Sequence, residues 1–324
     1  MAEARLQSTE GPRTVVVRAL IGHGALLGAF FVPLTEQLLI AAAIGYVIRV
    51  FSIEGGVHRY FSHRSYKTSR VFQFVLAALA AANGQRGPIW WAIIHRRHHR
   101  HADGPGDPHS PVTMHRGRAY YGWLIDQKTL DTDLDEARDL SRYPELVWIN
   151  RHHYVFPLLT LAATFLAGQY TAVFGSTGLG LSAVVWVFFM SMVLSQHIPY
   201  WVNVWGHGTR PGPFNLRCYE TGETSTNVWW LALPTLGAAW HNNHHRGGGE
   251  RPSRGRLAGG LACRRSRWRR RRVRGWIRPR TDYITSKKRI RTSLGVRTPL
   301  PRKTRSMFQA SDGAAVSKLG TQRK

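Results

Sequence analysis

The chain has 324 residues, which is enough for one large domain or two ordinary ones. Its net charge of +27 is typical of nucleic-acid-binding proteins, but the charge is concentrated in residues 246–324, which hold 25 Lys and Arg against 3 Asp and Glu. Residues 1–245 hold 20 against 15, which excludes a body built for specific nucleic-acid binding, and two cysteines are too few for a four-cysteine zinc site.

Four long apolar stretches predict membrane-spanning helices. Their approximate bounds are Val15–Pro33, Leu34–Ile53, Tyr154–Phe174 and Leu179–Ile198. Each approaches the ~20 residues that a helix needs to cross ~30 Å of hydrocarbon. We therefore predict an all-α, multi-pass membrane protein with four transmembrane helices in two hairpins. Residues 1–13, which precede the first stretch, are polar and predicted to be disordered.

The distribution of basic residues predicts the orientation of these spans. The links within the two hairpins contain no Lys or Arg, whereas Arg13 and Arg18 flank the first span, Arg59 and Arg64 follow the second, and Arg151 precedes the third. By the positive-inside rule, the N-terminus, the central region and the C-terminus are then cytoplasmic.

Two segments between the hairpins predict helices that do not span the membrane. Val71–Ala82 is apolar but too short to cross, which favours a half-buried or interfacial helix. Asp126–Arg142 is acidic and amphipathic, which predicts a helix on the protein surface.

Nine histidines form four groups close to the cytoplasmic ends of the predicted spans. The groups are His58 and His63; His95, His98 and His99; His207, which follows Asn203 by four residues; and His241, His244 and His245. Neutral imidazole is the commonest protein ligand for transition metals and suits iron, zinc and copper. Because nine imidazoles exceed what one ion can use, the sequence predicts two metal ions.

The spacing within the groups places the side chains together on helices. In each His-x-x-His-His motif, the first, fourth and fifth residues lie at i, i+3 and i+4, which share one helix face. His58 and His63 are five residues apart, about 140° around an α-helix, so we predict that this pair straddles a helix end. His101, just beyond the second group, is expected at the surface.

These motifs resemble those of the membrane fatty acid desaturase family, in particular its stearoyl (delta-9) branch and the bacterial members of that branch. The resemblance covers roughly residues 15–245 and includes the order of the three main histidine groups. Asp103, followed by Asp107-Pro-His109, resembles the acidic stretch after the family's second motif. Asn203 and His207 resemble an additional ligand pair in which the Asn acts through water.

The resemblance implies a fold and an activity. Residues 14–245 would form a membrane desaturase domain, with four transmembrane helices under a cytosolic helical cap that holds a di-metal site. The activity would be that of an oxygen-dependent fatty acyl desaturase, an oxidoreductase that introduces a cis double bond at the delta-9 position, in the plasma membrane of a bacterium. The cofactor would be two iron ions, with O2 as co-substrate. Their implied ligands are His58, His63, His95, His98, His99, Asn203, His207, His241, His244 and His245.

Three further residues have expected roles around this site. Trp91, four residues before His95, is a candidate wall of a substrate tunnel, and Asp103 and Asp107 are candidate partners that orient imidazoles. The substrate would be a fatty acyl chain carried as an acyl-lipid or as acyl-CoA. Because no cysteine cluster or flavin-type glycine motif is present, a separate electron donor protein such as ferredoxin, cytochrome b5 or a reductase is expected.

Three features depart from the family pattern. Ile93-Ile94 stand where the animal acyl-CoA branch has an Arg-Asp pair that helps to hold coenzyme A, which leaves the acyl carrier open. Gly237-Ala238 replace a frequent Gly-Glu pair, so a carboxylate near the last motif is expected to be missing. Residues 246–324 do not resemble the family's aromatic-rich closing segment, and we interpret them as an Arg-rich tail that is disordered or translated out of frame.

Other functions remain compatible with the motifs. A di-iron hydroxylase of acyl chains or alkanes would use the same scaffold, because histidine motifs alone do not separate oxygen insertion from hydrogen removal. An out-of-frame tail would instead leave an inactive desaturase homologue. Binding of nucleic acid through the basic tail would be non-specific and would disappear on deletion of residues 246–324.

Overall fold

Helices make up most of the chain that the computed structural model describes, which is residues 10–247 and the backbone of residues 5–6. The α-helices are α1 (Pro12–Ala25), α2 (Glu36–Phe51), α3 (Arg70–Ala81), α4 (Pro88–His101), α5 (Arg116–Tyr120), α6 (Gln127–Leu130), α7 (Arg138–Ser141), α8 (Pro144–Arg151), α9 (Val155–Tyr170), α10 (Gly180–Ala183), α11 (Ser191–Gly206) and α12 (His241–Arg246). Two antiparallel pairs of two-residue strands join β1 (Arg5–Leu6) to β2 (Thr132–Asp133) and β3 (Asn215–Leu216) to β4 (Asn227–Val228).

The first two apolar stretches form long helices. Pro12 stands in the first turn of α1, where its missing N–H would have no helical partner in any case. A 3₁₀ turn extends α1, so that Pro12–Phe30 is a helical run of 19 residues. Thr35 caps α2 by accepting a hydrogen bond from the backbone N–H of Leu38. A π-helical segment then extends α2, and Glu36–Ser62 is continuous over 27 residues.

The second pair of apolar stretches forms one long helix and one shorter helix. Helices α10 and α11, joined by a π-helical segment, give a run of 27 residues over Gly180–Gly206. Helix α9 has only 16 residues, about 24 Å at 1.5 Å per residue, because Thr171 is already extended. Three helices, one fewer than predicted, are therefore long and apolar enough to cross a membrane among the described residues. The chain is an integral membrane protein.

Close packing between α2 and α11 joins the two hairpins. A Cβ at Gly45 would lie 3.3 Å from the Ser191 hydroxyl, so a glycine lets the helices approach. Arg49 donates hydrogen bonds to the Ser191 hydroxyl and to the carbonyl of Ala82, at 3.0 and 2.7 Å. These bonds join the end of α3 to the contact between α2 and α11. They therefore fix the position of α3 relative to the membrane helices.

A compact apolar core supports the histidine-bearing elements. It lies between the π-helical segment after α2 and helices α3, α4 and α8, and its fully buried members include Phe61, Leu76, Ile89, Ile93, Leu146 and Ile149. Arg96 of α4 reinforces this contact by donating hydrogen bonds to the carbonyls of Phe61 and Ser62. The first two histidine motifs are thereby held against each other.

The segments between the hairpins differ in how well they match prediction. Helix α3 confirms the short helix predicted at Val71–Ala82, and Val71 is 75% exposed on its outer face. The helix predicted over Asp126–Arg142 is wrong, because this segment contains α6, β2, a 3₁₀ turn and α7. Asp126 and Asp133 end up as caps, accepting hydrogen bonds from backbone N–H groups two residues ahead.

The structure gives partial information on the predicted domain boundaries. Within the predicted disordered segment 1–13, residues 5–6 pair with β2 and α1 already begins at Pro12. Of the predicted tail, residues 246 and 247 are described, and the remainder to residue 324 lies outside the described residues.

Candidate metal centre

Four elements deliver nine histidines to one place. The π-helical segment after α2 and the residue that caps it supply His58 and His63, and α4 supplies three histidines of the second motif. The end of α11 supplies His207, and α12 supplies the last motif. The nine imidazoles form two adjacent clusters, which we term cluster A (His58, His63, His95, His99 and His244) and cluster B (His98, His207, His241 and His245).

Helices α4 and α12 divide their histidines between the clusters in opposite ways. On α4, His95 and His99 are four residues apart and face cluster A, whereas His98 faces cluster B. On α12, His241 and His245 are four residues apart and face cluster B, and His244 faces cluster A. The i, i+4 pair of each motif thus serves one cluster and the remaining residue serves the other.

The pair His58 and His63 reaches cluster A through π-helical winding. The backbone N–H of His63 bonds to the carbonyl of His58, a five-residue step that replaces the four-residue step of an α-helix. Residues five apart then share one face, and the two ring centroids are 5.0 Å apart. The prediction that the pair straddles a helix end is confirmed, because His63 caps the segment. The π-helical winding is what brings the two rings together.

In cluster A, the Nε2 atoms of all five rings point toward one another. His63 and His95 approach at 2.8 Å, His95 and His99 at 3.1 Å, His99 and His244 at 2.8 Å, and His244 and His58 at 3.1 Å. Nδ1 of His58 donates to Glu54, so the tautomer of the neutral ring that this bond favours has its lone pair on the facing Nε2. A cation between such lone pairs would remove their mutual repulsion.

Cluster B shows the same arrangement. The Nε2 atoms of His207 and His241 are 2.8 Å apart. The Nε2 atoms of His98 and His245 are buried and have no hydrogen-bond partner among the described residues. Buried polar atoms are normally satisfied, so two unpaired imidazole nitrogens aimed into one space fit a metal ion. The donor set is all imidazole, which suits iron, zinc or copper.

Carboxylates accept hydrogen bonds from the outer nitrogens of three of these rings, and a fourth carboxylate lies near another ring. Glu54 accepts from Nδ1 of His58 at 2.7 Å, and Asp107 accepts from Nδ1 of His98 with both oxygens at 3.0 Å. Asp103 accepts from Nδ1 of His207 at 3.1 Å. Glu223 lies farther out, 3.6 Å from Nδ1 of His245. A carboxylate on Nδ1 fixes the tautomer that leaves Nε2 free for a metal.

Burial sets the protonation states of the centre. Removal from water, followed by the proximity of the other imidazoles, lowers the pKa of five cluster histidines well below the usual value; they are His95, His99, His241, His244 and His245. They are therefore neutral at physiological pH, as a metal ligand must be. Burial is the largest single influence on Asp107 and raises its pKa, but the hydrogen bond with His98, the nearby charges of His98 and His109 and a backbone hydrogen bond together outweigh it and lower the pKa to about 2, so the carboxylate is ionised.

A mostly apolar cavity reaches both clusters. Its wall includes His58 and His95 of cluster A, His241 of cluster B, and both Trp91 and Asn203. The Trp91 ring stacks on His95 with centroids 5.1 Å apart. Away from the histidines, the cavity extends between α1 and α11; its lining there includes Val15, Ala19, Gly22 and Met192. An extended apolar molecule could lie from the membrane helices to the metal centre.

The profile of the fatty acid desaturase family matches residues 35–283 of this chain, well over half of its length. The chain belongs to the fatty acid desaturase family. It is an oxidoreductase of that family and a membrane protein, and its two histidine clusters are consistent with the di-metal site that is typical of these enzymes.

Three curated relatives show the breadth of the family around this enzyme. The chain is 31% identical to the hex-5-enoyl-[acyl-carrier protein] acetylenase of Moorena producens over 62% of its own length and 63% of the relative's. It is 30% identical to the sn-1 stearoyl-lipid 9-desaturase of Anabaena variabilis over 72% and 82%. It is 29% identical to the acyl-CoA C20 delta5-desaturase of Anemone leveillei over 72% and 71%. The names differ in carrier and in bond position.

The structure brings every sequence-predicted site residue of this family member to the centre or to its cavity. It also adds residues that sequence reasoning missed. Glu54 lies four residues before His58, a helical spacing that could have revealed it. Glu223 comes from the loop before β4 and lies beside His245, so a carboxylate is present near the last motif although Ala238 was expected to leave none. His109 is buried, and its ring stacks on that of His98.

Proposed function

We propose that this chain is an oxygen-dependent desaturase that introduces a cis double bond at the delta-9 position of a saturated fatty acyl chain. The reaction removes one hydrogen from each of two neighbouring methylenes and, with two electrons and two protons from outside, reduces O2 to two molecules of water. The observation that carries this proposal is the convergence of nine imidazoles, in two clusters, at the wall of a largely apolar cavity.

The two clusters would each hold one iron ion. The ligands would be the five histidines of cluster A and the four of cluster B, with Asn203 acting through water. Support comes from the unpaired Nε2 atoms of His98 and His245 and from the neutral state that burial imposes. When bound, the irons supply the activation of O2 that no side chain provides. Glu54, Asp103 and Asp107 orient the imidazoles through their Nδ1 atoms.

The cavity would bind the acyl chain and position it. Its apolar wall between α1 and α11 excludes water from the chain, and Trp91 forms part of the wall next to His95. The methylenes that react are those held beside His58, His95 and His241. Because C–H bonds do not direct a reaction by polarity, the distance from the cavity mouth to the histidines would determine which bond becomes the double bond.

The acyl carrier would be a lipid or coenzyme A. Ile93 and Ile94 are both buried, 1% and 4% exposed, so the place of the Arg-Asp pair of the animal acyl-CoA branch is occupied by core side chains. The relatives' names include a stearoyl-lipid enzyme and an acyl-CoA enzyme. An electron donor protein such as ferredoxin, cytochrome b5 or a reductase would provide the electrons.

In the membrane, α9 would act as the fourth transmembrane helix, paired with the α10–α11 run. Its 16 residues are apolar and it packs on α10, which supports this assignment. The distribution of Arg supports an orientation in which both termini and the metal centre would be cytoplasmic. The membrane would be the plasma membrane of a bacterium.

Expression in a host that lacks its own desaturase tests the proposal. We expect mono-unsaturated fatty acids from the wild-type chain and none from His98→Ala, because that substitution removes one ligand of cluster B, the imidazole that Asp107 orients. His101→Ala is the matched control, since His101 is an exposed histidine at the end of the same helix. Equal unsaturation in His98→Ala and the wild type would contradict the proposal.

Mass spectrometry of the product separates the two oxidative reactions. Desaturation gives a chain that has lost two hydrogens, whereas hydroxylation gives a chain that has gained one oxygen. Cleavage of the product at the double bond then reports its position, and a position other than delta-9 would contradict that part of the proposal. Wild-type protein that holds iron but makes neither product would indicate an inactive homologue.

A further inference from the structure

The twelve residues before the last histidine motif form a closed loop with an exposed apolar tip. The loop begins at β4 and ends where α12 starts, and the backbone N–H of Val228 bonds to the carbonyl of Ala239 at 2.8 Å, which ties its two ends together. At the tip, Leu233 is 86% exposed, and Trp230 and Leu236 are each 41% exposed. We term these twelve residues, 229–240, the tip loop.

The tip loop has two apolar faces and no charge. Leu231, Ala238 and Ala239 are buried and pack with Val202 of α11, so the inner face belongs to the protein core. On the outer face, Trp230 packs edge-to-face with Trp205 of α11, with ring centroids 6.0 Å apart, whereas Leu233 and Leu236 are 86% and 41% exposed. No Asp, Glu, Lys or Arg occurs between Thr224 and Trp240. A water-facing loop of this length would normally contain charged or polar residues at its tip.

A hydrogen bond places the tip loop beside a membrane-spanning helix. The hydroxyl of Tyr46 donates to the carbonyl of Pro234 at 2.8 Å. Tyr46 lies ten residues from Glu36, where α2 begins, which is about 15 Å along a helix that must cross ~30 Å of hydrocarbon. Its neighbours Ile44 and Val47 are 55% and 50% exposed and apolar, as lipid-facing residues are. Pro234 is therefore level with the hydrocarbon region.

Several backbone N–H groups of the tip loop are paired within the loop. N–H groups of the loop bond to carbonyls of the loop itself, as in Thr235 to Leu231 at 3.1 Å, Gly237 to Ala232 at 2.8 Å and Ala238 to Thr235 at 3.0 Å. Residue 234 is a proline and has no N–H, and its carbonyl is the one that Tyr46 reaches. Such internal pairing lowers the cost of moving backbone polar groups from water into hydrocarbon.

We infer that the tip loop inserts into the lipid bilayer as a re-entrant element, with lipid acyl chains covering Trp230, Leu233 and Leu236. Because His241 follows the loop directly, this insertion anchors the last histidine motif to the membrane surface. The tip loop binds no lipid headgroup and requires no charged side chain. It contacts the hydrocarbon of the bilayer that the long helices cross. The inference depends on the membrane location of the protein and not on the reaction it catalyses.

Photo-crosslinking from single positions tests this placement. The photoreactive amino acid p-benzoylphenylalanine replaces Leu233 in the full chain, which is reconstituted in phosphatidylcholine vesicles with a radiolabelled lipid and illuminated. Ile44 on α2 is the lipid-facing control, and Glu220, whose side chain is 95% exposed in the loop after β3, is the control outside the bilayer. All three positions are exposed, so replacement leaves the core intact.

We expect position 233 to form lipid adducts at a yield similar to that of position 44 and at least ~10-fold above that of position 220. A yield at 233 as low as at 220 would overturn the inference. So would an adduct between position 233 and residues 248–324, because protein rather than lipid would then cover the tip. Neither result requires enzymatic activity, so the outcome is independent of the proposed desaturation.

Discussion

The carboxylate of Glu54 accepts a hydrogen bond from Nδ1 of His58 at 2.7 Å, and both side chains are buried. The two residues are four apart on one helical run, so the contact is made within a single element and needs no distant segment. It fixes which nitrogen of His58 faces cluster A. Among the described carboxylates that touch the centre, Glu54 also lines the cavity, so it would link the proposed metal site to the space proposed for the acyl chain.

Replacement of Glu54 is expected to weaken metal binding in cluster A. Loss of a carboxylate that orients a ligand imidazole typically reduces metal affinity by about 10–100-fold, and we expect Glu54→Ala to fall in this range. Glu54→Gln should be milder, since its amide oxygen can still accept from Nδ1. Metal titration of the purified variants measures the effect, with Glu220→Ala as the control at an exposed glutamate. Unchanged affinity in Glu54→Ala would show that His58 is oriented without it.

A second prediction concerns the contact between α4 and α8. A Cβ at Gly87, the residue that caps α4, would lie 2.3 Å from Oδ1 and 2.4 Å from Cα of Asn150. Backbone atoms cannot move aside cheaply, and Oδ1 of Asn150 already accepts from the backbone N–H of Trp90 at 2.9 Å. Gly87→Ala should therefore destabilise the protein by about 1–3 kcal/mol and displace the second histidine motif.

Thermal unfolding and metal content together check the Gly87 prediction. The matched control is Gly222→Ala, because no atom lies within 4 Å of a Cβ at that position. We expect a lower melting temperature and less bound metal in Gly87→Ala only. If both variants melt like the wild type, α4 and α8 are not in the close contact that positions His95, His98 and His99.

Residue spacing predicted the histidines of the centre because helical geometry is local. The i, i+3, i+4 pattern of residues 95–99 and 241–245 determines which side chains share a face, whatever the rest of the fold does. Spacing did not reveal that His98 and His244 each lie in a different cluster from the other two histidines of their motif. That division depends on the angle between α4 and α12. Glu223 was missed for the same reason: it reaches His245 through the tertiary fold of a loop.

Apolar length predicted the long helices but not their ends. The third apolar stretch continues to Phe174, yet α9 stops at Tyr170, because Thr171 is extended. Gly175 and Gly178 then adopt positive φ angles and reverse the chain. At residues 126–142 the amphipathic pattern was misleading, since Asp126 and Asp133 bond to nearby backbone N–H groups and favour short turns over one helix.

The buried histidines predict a strong pH dependence for the metal-free protein. Burial lowers the pKa of five cluster histidines, among them His95 and His241, below the unfolded value of about 6.5. Below that pH the unfolded chain binds more protons than the folded chain, so stability is full above about pH 6.5 and falls as the pH decreases. Each such group adds a slope of up to ~1.4 kcal/mol per pH unit.

Melting temperatures of chelator-treated protein across neutral and mildly acidic pH check this slope. We expect His95→Asn to make the decrease in melting temperature with falling pH less steep. The variant has one fewer imidazole that is neutral when folded and protonated when unfolded. His101→Asn, at an exposed histidine of the same helix, should leave the slope unchanged. If the melting temperature stays constant as the pH is lowered from 6.5, the cluster histidines are already protonated in the folded protein.

The abrupt change in composition after the last histidine motif leads to a prediction about the gene. Residues 246–324 hold 25 of the 45 Lys and Arg, and hydrophobic periodicity is lost immediately after an intact motif. A shift of reading frame changes every later codon and would produce such a change. We expect one of the other two frames to encode an aromatic-rich amphipathic segment directly after Arg246. The family match runs to residue 283, so the repaired residues 246–283 should match the family better than the present ones.

A chain rebuilt with that segment should produce more unsaturated fatty acid than the present chain in the same host. If neither frame yields such a segment, the basic tail is the true continuation and the frameshift interpretation is wrong.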